Sequence, residues 1–308
     1  MMPETRARYW APVEHNSTLT AELEMLGCDK KVLEIGPGSG HLTEALAQRN
    51  CAVTCVEVDE NLTSIARQFC QRMIVADIEQ LDPEVAFPGE GFDVILLGDV
   101  LEHLKDPHRV LRKLRDCLNP AGFLVGSVPN VAHASVRLAL LGGNFNYTEE
   151  GLLDRTHLRF FTRASIMALM REAGYRIREL RRTRVGIFNT EVELSIDNVK
   201  VPILRQLMRD SEATTYQFIF AADPVSGTGV GGTTEIDAAG FADPTWSVRQ
   251  GKKRLARTLM RKGRALHWQN HDRQAIAWLY RSFKLKPRLQ TMMYLLLCCI
   301  RTLRLRRL

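Results

Sequence analysis

Acidic residues are almost missing from the last fifth of the chain: from Ser247 onward there are 17 Lys and Arg against a single acid, Asp272. The tail thus carries sixteen net positive charges and the preceding residues nine net negative ones, although the whole chain is only +7. Only the tail can be drawn to phosphate or to an anionic membrane. It also lacks interleaved aromatics and any recognisable nucleic-acid-binding fold, which argues against nucleic acid as a partner. Cysteine is sparse and unpatterned, with seven residues and no CxxC pair, so the cysteines read as buried small apolar residues in a reducing setting. The opening residues MMPETRARYW lack the apolar stretch of a signal peptide, and the longest late apolar run, Met292 to Ile300, is too short to span a bilayer. A cytoplasmic protein is expected.

What is present suffices for a folded protein. Hydrophobic residues make up 45% of the 308 and charged residues 25%, which fits one α/β domain plus a smaller body. A glycine-rich stretch from Asp223 to about Pro244 reads as a linker, dividing the chain into a domain at 1–222, a linker at 223–246 and a basic helical appendage at 247–308. Short apolar runs alternate with helical patterns in the first part, as in parallel strands covered on both faces. Strands are predicted at 31–35, 52–58, 73–76, 92–97, 123–128, 175–183 and 214–222, with helices at 41–49, 61–71, 106–118 and 162–173. Leu62, Ile65, Ala66 and Phe69 share a face in the second helix. In the third, Asp106 caps, Pro107 takes the first position and Asn119-Pro-Ala-Gly stops the helix. Residues 129–161 break the alternation and read as an active-site insertion.

The sharpest motif is Glu34-Ile-Gly36-Pro37-Gly38-Ser-Gly40, which follows the first strand and opens a helix. Its spacing is G-x-G-x-G, and the third glycine of a dinucleotide fingerprint would fall at His41, which argues against NAD. Glu34 argues the same way, because a carboxylate suits an ammonium group and repels a pyrophosphate. Glu57 closes the second strand where it can accept both hydroxyls of a ribose, and Asp77 closes the third where it can accept an adenine amino group. Three acids at successive strand ends define a ligand edge. The residues expected along it are Glu34, Gly36, Pro37, Gly38, Gly40, Glu57, Val58, Asp77, Ile78 and Asp99.

At these positions the sequence resembles the class I S-adenosylmethionine-dependent methyltransferases, over Tyr9 to Ala222. The resemblance implies a Rossmann-like, seven-strand doubly wound sheet, with Glu34, Gly36, Gly38 and Gly40 as the cofactor loop, Glu57 as the ribose-binding acid and Asp77 on the adenine side. Gly98-Asp-Val-Leu-Glu-His-Leu104 resembles the corresponding segment of ubiquinone-biosynthesis-like enzymes. Methyl transfer is an in-line displacement that needs alignment and, for a hydroxyl or protonated amine acceptor, a base. His103, His157 and His133 are the candidates. In some relatives an acid-x-x-Glu-His set holds magnesium; here Asp99, Glu102 and His103 occupy it, but Asp99 is shorter than the usual Glu and no fourth ligand is evident, so metal is not favoured. The insertion resembles methyltransferase domains found beside glycosyltransferases, which implies a small polar acceptor of sugar type, held by Asn130, Tyr147, Asp154 and Arg155. The Asp99, Glu102, His103 set also permits methylation of an RNA 2′-hydroxyl. A non-catalytic assembly module is a third reading. In the tail, Leu259, Gly263, Ala275, Ser282 and Pro287 match a tetratricopeptide unit in part, and Arg301, Arg304, Arg306 and Arg307 beside an apolar run suit a peripheral membrane or protein contact.

Overall fold

The computed structural model describes residues 18–194, 201–225, 248–269 and 271–304. Tyr9, Trp10, Arg306, Arg307 and the predicted linker beyond 225 lie outside these residues. Seven strands, β1 (Lys31–Ile35), β2 (Ala52–Glu57), β3 (Arg72–Val75), β4 (Phe92–Gly98), β5 (Leu118–Pro129), β6 (Tyr175–Arg184) and β7 (Thr215–Pro224), form one sheet in the order β3-β2-β1-β4-β5-β7-β6. Among the described residues, helices longer than four residues are α1 (Thr18–Leu26), α2 (His41–Gln48), α3 (Pro107–Arg115), α4 (Ala134–Leu141), α5 (Arg163–Glu172), α6 (Val201–Leu207), α7 (Val248–Trp268), α8 (Asp272–Leu285) and α9 (Leu289–Arg304). Two compact units cut across this order: Met1–Val131, Thr156–Thr183 and Tyr216–Asp237 make one, and Ala132–Arg155, Arg184–Thr215 and Ala238–Leu308 the other.

In the first unit, β1, β2 and β4 are buried almost end to end because helices cover both faces of a parallel sheet. Val32, Val53, Val94, Leu96 and Val125 pack with Leu23 and Leu26 of α1 and Leu46 of α2. The alternate residues Leu33, Ile95 and Leu97, equally buried, face the other way by the two-residue period of a strand. The buried Tyr175 donates its hydroxyl to the Leu111 carbonyl at 3.1 Å, tying β6 to α3. The last strand departs from the parallel pattern, since β7 runs antiparallel to β5.

Two local expectations are corrected here. Residues 61–71 make only a 3₁₀ turn at Glu60–Leu62 and one helical turn at Thr63–Ala66, because the chain must return at once to the sheet, where the Gln71 N–H donates to the Val53 carbonyl. And β5 begins at Leu118 instead of after the Asn119-Pro-Ala-Gly turn: Leu118 pairs with Phe92 and Phe123 with Val94, so the turn is absorbed as a bulge. The Asn119 amide holds it by donating to Asp93 at 2.8 Å.

The basic tail is not an isolated appendage in this fold. Leu259 of α7 and Trp278 of α8 share a core with Ala134 and Leu138 of α4, Phe188, and Leu204 and Leu207 of α6. Phe188 meets Trp278 edge-on at 5.0 Å. A helical hairpin cannot bury both faces by itself, and segments 132–155 and 184–215 supply the missing apolar surface. Small residues let α7 and α8 approach: a Cβ on Gly263 would stand 2.6 Å from Leu279, and the buried Ser282 donates to the Ala256 carbonyl at 2.6 Å.

His133 belongs to this second unit and is fully buried. Its Nδ1 accepts the Ser135 N–H as the cap of α4, and its Nε2 donates to the Val185 carbonyl at 3.1 Å. With both ring nitrogens engaged, it is a structural residue and not the catalytic base expected of it. Burial lowers its pKa from 6.5 to about 4, so protons bind more readily to the unfolded chain and the stability His133 contributes above pH 6.5 is lost as pH falls toward 4. Urea unfolding is expected to show about 2 kcal/mol lost to this group between about pH 7.5 and 5, and His133→Gln to abolish that component.

Candidate active site

The three loop glycines all adopt positive φ: 66° at Gly36, 50° at Gly38 and 75° at Gly40, a region costly for residues with a Cβ. They differ in what surrounds them. A Cβ on Gly40 would lie 2.7 Å from the Ala66 backbone nitrogen, whereas one on Gly38 would meet nothing within 4 Å. Gly40 is therefore required by packing, and Gly38 leaves an open cradle at the sheet edge. The loop is fastened by the Gly36 N–H to the Val56 carbonyl at 2.8 Å and by the Gly38 N–H to Glu57 Oε2 at 3.1 Å. The other oxygen of Glu57 accepts the Asp59 N–H at 3.0 Å. Glu57 is buried, yet each carboxylate oxygen has a second lone-pair direction for a ligand hydroxyl. Beside it Val58 is 69% exposed, an apolar surface next to a polar anchor. Asp77 is exposed and accepts the Glu79 N–H at 2.8 Å, while Ile78 behind it is buried.

Glu34 does not take the place expected for it. Only 2% exposed, it is turned inward to accept from the Thr43 hydroxyl at 2.8 Å and to meet Cys55 Sγ at 3.6 Å, bracing the loop from behind. Burial pushes its pKa up to about 7. A second inward acid escaped the sequence reading. Glu22 of α1 is 4% exposed, with Oε1 3.0 Å from where a Cβ on Gly98 would stand; burial, reinforced by Asp99 and Glu34, raises its pKa to about 8. The available signal was its position among Leu19, Leu23 and Leu26 on one helical stripe. Asp99, in the left-handed region at φ 52°, exchanges hydrogen bonds with Ser127 and accepts from Gln217. Such a conformation in a non-glycine residue is held by its surroundings and clusters at functional sites.

Beyond Asp99, a 3₁₀ turn at Leu101–His103 carries Glu102 and His103. The Glu102 carbonyl accepts the N–H groups of Leu158 and Arg159 at 2.8 and 2.9 Å, which seats His157 against His103, ring centroids 4.9 Å apart. Glu102 and His157 are buried and His103 is exposed. Their ligand atoms lie within 4.8 Å of one another. The predicted Asp99, Glu102, His103 set is therefore replaced by Glu102, His103 and His157, Asp99 being committed to Ser127 and Gln217. His103 Nδ1 lies 3.2 Å from the Thr156 carbonyl. A carbonyl only accepts, so Nδ1 carries the proton and Nε2 keeps its lone pair.

The expected acceptor residues fall in both units. Asn130 is buried in the first unit, its N–H on the Tyr216 carbonyl. In the second, Arg155 pairs with Glu149, Asp154 bridges Thr148, and Tyr147 lines a cleft of about 300 Å³ with Asn146, Glu191 and Glu193.

Residues 5–180 match a family model described as a methyltransferase domain. The chain is 30% identical over 187 residues to the ubiquinone biosynthesis O-methyltransferase of Stutzerimonas stutzeri (strain A1501), covering 59% of this chain and 79% of that one. It is 34% identical over 157 residues to the protein of the same name from Pseudomonas aeruginosa (strain LESB58), covering 49% and 66%. Among solved structures it is similar to magnesium protoporphyrin IX methyltransferase from Synechocystis PCC 6803 with bound SAH, at 18% identity and a TM-score of 0.47, over 70% of this chain and 90% of that one.

The two glycines separate folding from binding. Gly40→Ala should destabilise the protein by about 3 kcal/mol, from collision with the Ala66 backbone and the positive φ together. Gly38→Ala should cost only about 1 kcal/mol of strain yet abolish detectable S-adenosylmethionine binding. Chemical unfolding and calorimetry on both variants provide the check.

Proposed function

The chain belongs to the methyltransferase-domain family and is an S-adenosylmethionine-dependent methyltransferase; on that premise we propose that it methylates a hydroxyl oxygen of a small polar acceptor of sugar type. The observation that carries this reading is His103: an exposed imidazole at the carboxyl end of β4, its Nδ1 proton fixed on the Thr156 carbonyl and its Nε2 turned into the acceptor of a proton. The names of the two curated relatives, both O-methyltransferases, support oxygen over nitrogen. The insertion's resemblance to methyltransferases associated with glycosyltransferases supports a sugar-like acceptor.

The residues at the sheet edge fit the cofactor. Gly38 leaves room for close approach of its backbone, Glu57 offers two more acceptor directions to vicinal hydroxyls, and the exposed Val58 offers an apolar flank to an adenine ring. When bound, the sulfonium supplies an electrophilic methyl group. With the donor bound, Glu57 would hold the adenosyl end in register and His103 would take the acceptor's hydroxyl proton onto Nε2, keeping its Nδ1–H on Thr156, while the methyl–sulfur bond would break and the neutral thioether leave. The buried Glu102 and His157 fix the imidazole from below. One observation favours a variant of this chemistry: the clustering of Glu102, His103 and His157 also suits a divalent cation that would acidify the acceptor hydroxyl.

Mass spectrometry with isotope-labelled donor, over a panel of nucleotide sugars, glycans, phenols and RNA ends, tests the reading. A hydroxyl gaining one labelled methyl group is expected; methylation confined to nitrogen overturns it. Glu57→Ala should weaken donor binding by about 1–2 kcal/mol. His103→Ala should lower kcat by about 10²-fold or more with donor affinity unchanged. Sensitivity of the wild type to chelator selects the cation-assisted variant.

We also propose that α9 rests on an anionic bilayer surface. Leu289, Met292, Met293, Leu296 and Leu297 are all exposed, Leu289 by 80%, and recur at the spacing of one helical face. The net charge of the tail complements anionic lipid. Flotation of the full chain with phosphatidylglycerol vesicles, but not with phosphatidylcholine vesicles, is expected. Replacing Leu296 and Leu297 by Ser should release it, and equal behaviour with both vesicle types overturns the idea.

A further inference from the structure

Three helices of the second unit each send one metal-ligating side chain to a common point. His267 ends α7, Asp272 opens α8, and Cys298 lies on α9. All three are nearly or fully buried, at 9%, 4% and 0% exposure. His267 Nδ1 lies 2.6 Å from Asp272 Oδ1 and 3.3 Å from Cys298 Sγ, and the three ligand atoms fall within 4.8 Å of one another.

This arrangement differs from a thiol–imidazole–carboxylate relay, in which the thiol and the carboxylate take opposite nitrogens of the ring. Here both approach the same nitrogen, whose single proton or lone pair reaches the two of them only as a shared three-centre bond. A cation on the axis of that lone pair serves all three at once. We propose that His267, Asp272 and Cys298 form a binding site for a transition-metal ion of the Zn²⁺ type.

The donor set is one nitrogen, one carboxylate oxygen and one sulfur, which selects Zn²⁺ or Co²⁺ over Mg²⁺ or Ca²⁺. With metal–ligand bonds of about 2.0–2.3 Å, ligand atoms on a tetrahedral ion stand roughly 3.3–3.6 Å apart. The sulfur–nitrogen separation already meets this. The oxygen–nitrogen separation, now that of a hydrogen bond, opens by several tenths of an ångström when the ion displaces the proton. A fourth position is left for water or an external ligand. The apolar core around the cluster is small, with Met260, Ala275, Leu279 and Cys298 at its centre, so a bond shared by three helices would contribute strongly to a unit that buries little else at this end.

The test uses the full chain, stripped with chelator under reducing conditions and titrated with Co²⁺. One equivalent should produce a thiolate-to-metal charge-transfer band that Zn²⁺ displaces. The band identifies this site, because the Glu102, His103 and His157 cluster contains no thiolate. Cys298→Ser should abolish it, His267→Gln and Asp272→Asn should weaken Co²⁺ binding at least tenfold, and Cys299→Ser should leave it intact. Zn²⁺ should raise the melting temperature of the wild type and of Cys299→Ser, and not that of Cys298→Ser. Absence of the band in folded wild-type protein, or its persistence in Cys298→Ser, overturns the proposal. If Cys298→Ser does not fold, retention of wild-type Co²⁺ affinity in both His267→Gln and Asp272→Asn overturns it equally.

Discussion

The carboxylate of Glu57 receives backbone N–H groups from two different turns, one from Gly38 and one from Asp59, and the geometry of the ligand edge depends on this double acceptance. Each bond is charge-assisted and mostly shielded from water, hence stronger than an ordinary amide–carbonyl contact. Together they lock the glycine loop after β1 to the exit of β2. A carboxamide could not replace the carboxylate here, since its nitrogen would oppose one of the two amide donors. The motif read as a glycine signature is thus equally a carboxylate signature, and neither half orders the edge alone.

The remaining acids behave differently according to depth. Glu22 and Glu34 are buried behind the loop, and burial raises them to about 8 and 7. Burial favours the protonated form of both, which spares the sheet a cluster of adjacent full charges. A positive charge at the edge favours their ionised forms, and a pyrophosphate opposes them.

Local patterns in the sequence were legible wherever one local interaction decides the structure. The boundaries of β1 follow from Val32, Leu33 and Ile35, the start of α3 from Asp106 and Pro107, and the start of α5 from Thr162, whose hydroxyl accepts the Ser165 N–H. The periodicity of 61–71 misled because a distant constraint, the return of Gln71 to β2, outweighed a favourable helical stripe. Glu34 misled for a related reason: its position in a motif is visible, but the direction of its side chain is set by Thr43 and Cys55, nine and 21 residues away. The tail misled most, since nothing in 247–308 announces that Leu259 and Trp278 will find their partners at Leu138, Phe188 and Leu204. Charge marked that segment as separate, whereas buried apolar surface decides where it folds.

Histidine gives the clearest case of function decided by partners and not by residue type. Four imidazoles carry the argument, and what each can do follows from its ring nitrogens. His133 uses both on backbone groups of its own unit, is buried, and is left with neither a proton to move nor a lone pair to lend. His103 spends only Nδ1, on Thr156, and keeps Nε2 at the surface, where a lone pair is useful. His157, buried, meets the ring of His103 edge-on, with centroids 4.9 Å apart. His267 offers one nitrogen to both a carboxylate and a thiol, a demand that a proton meets poorly and a metal ion meets well. The sequence nominated His103 and His157 ahead of His133 and passed over His267. The distinction lies in which atoms the fold sets opposite each nitrogen, and those atoms come from segments 2 to 53 residues away.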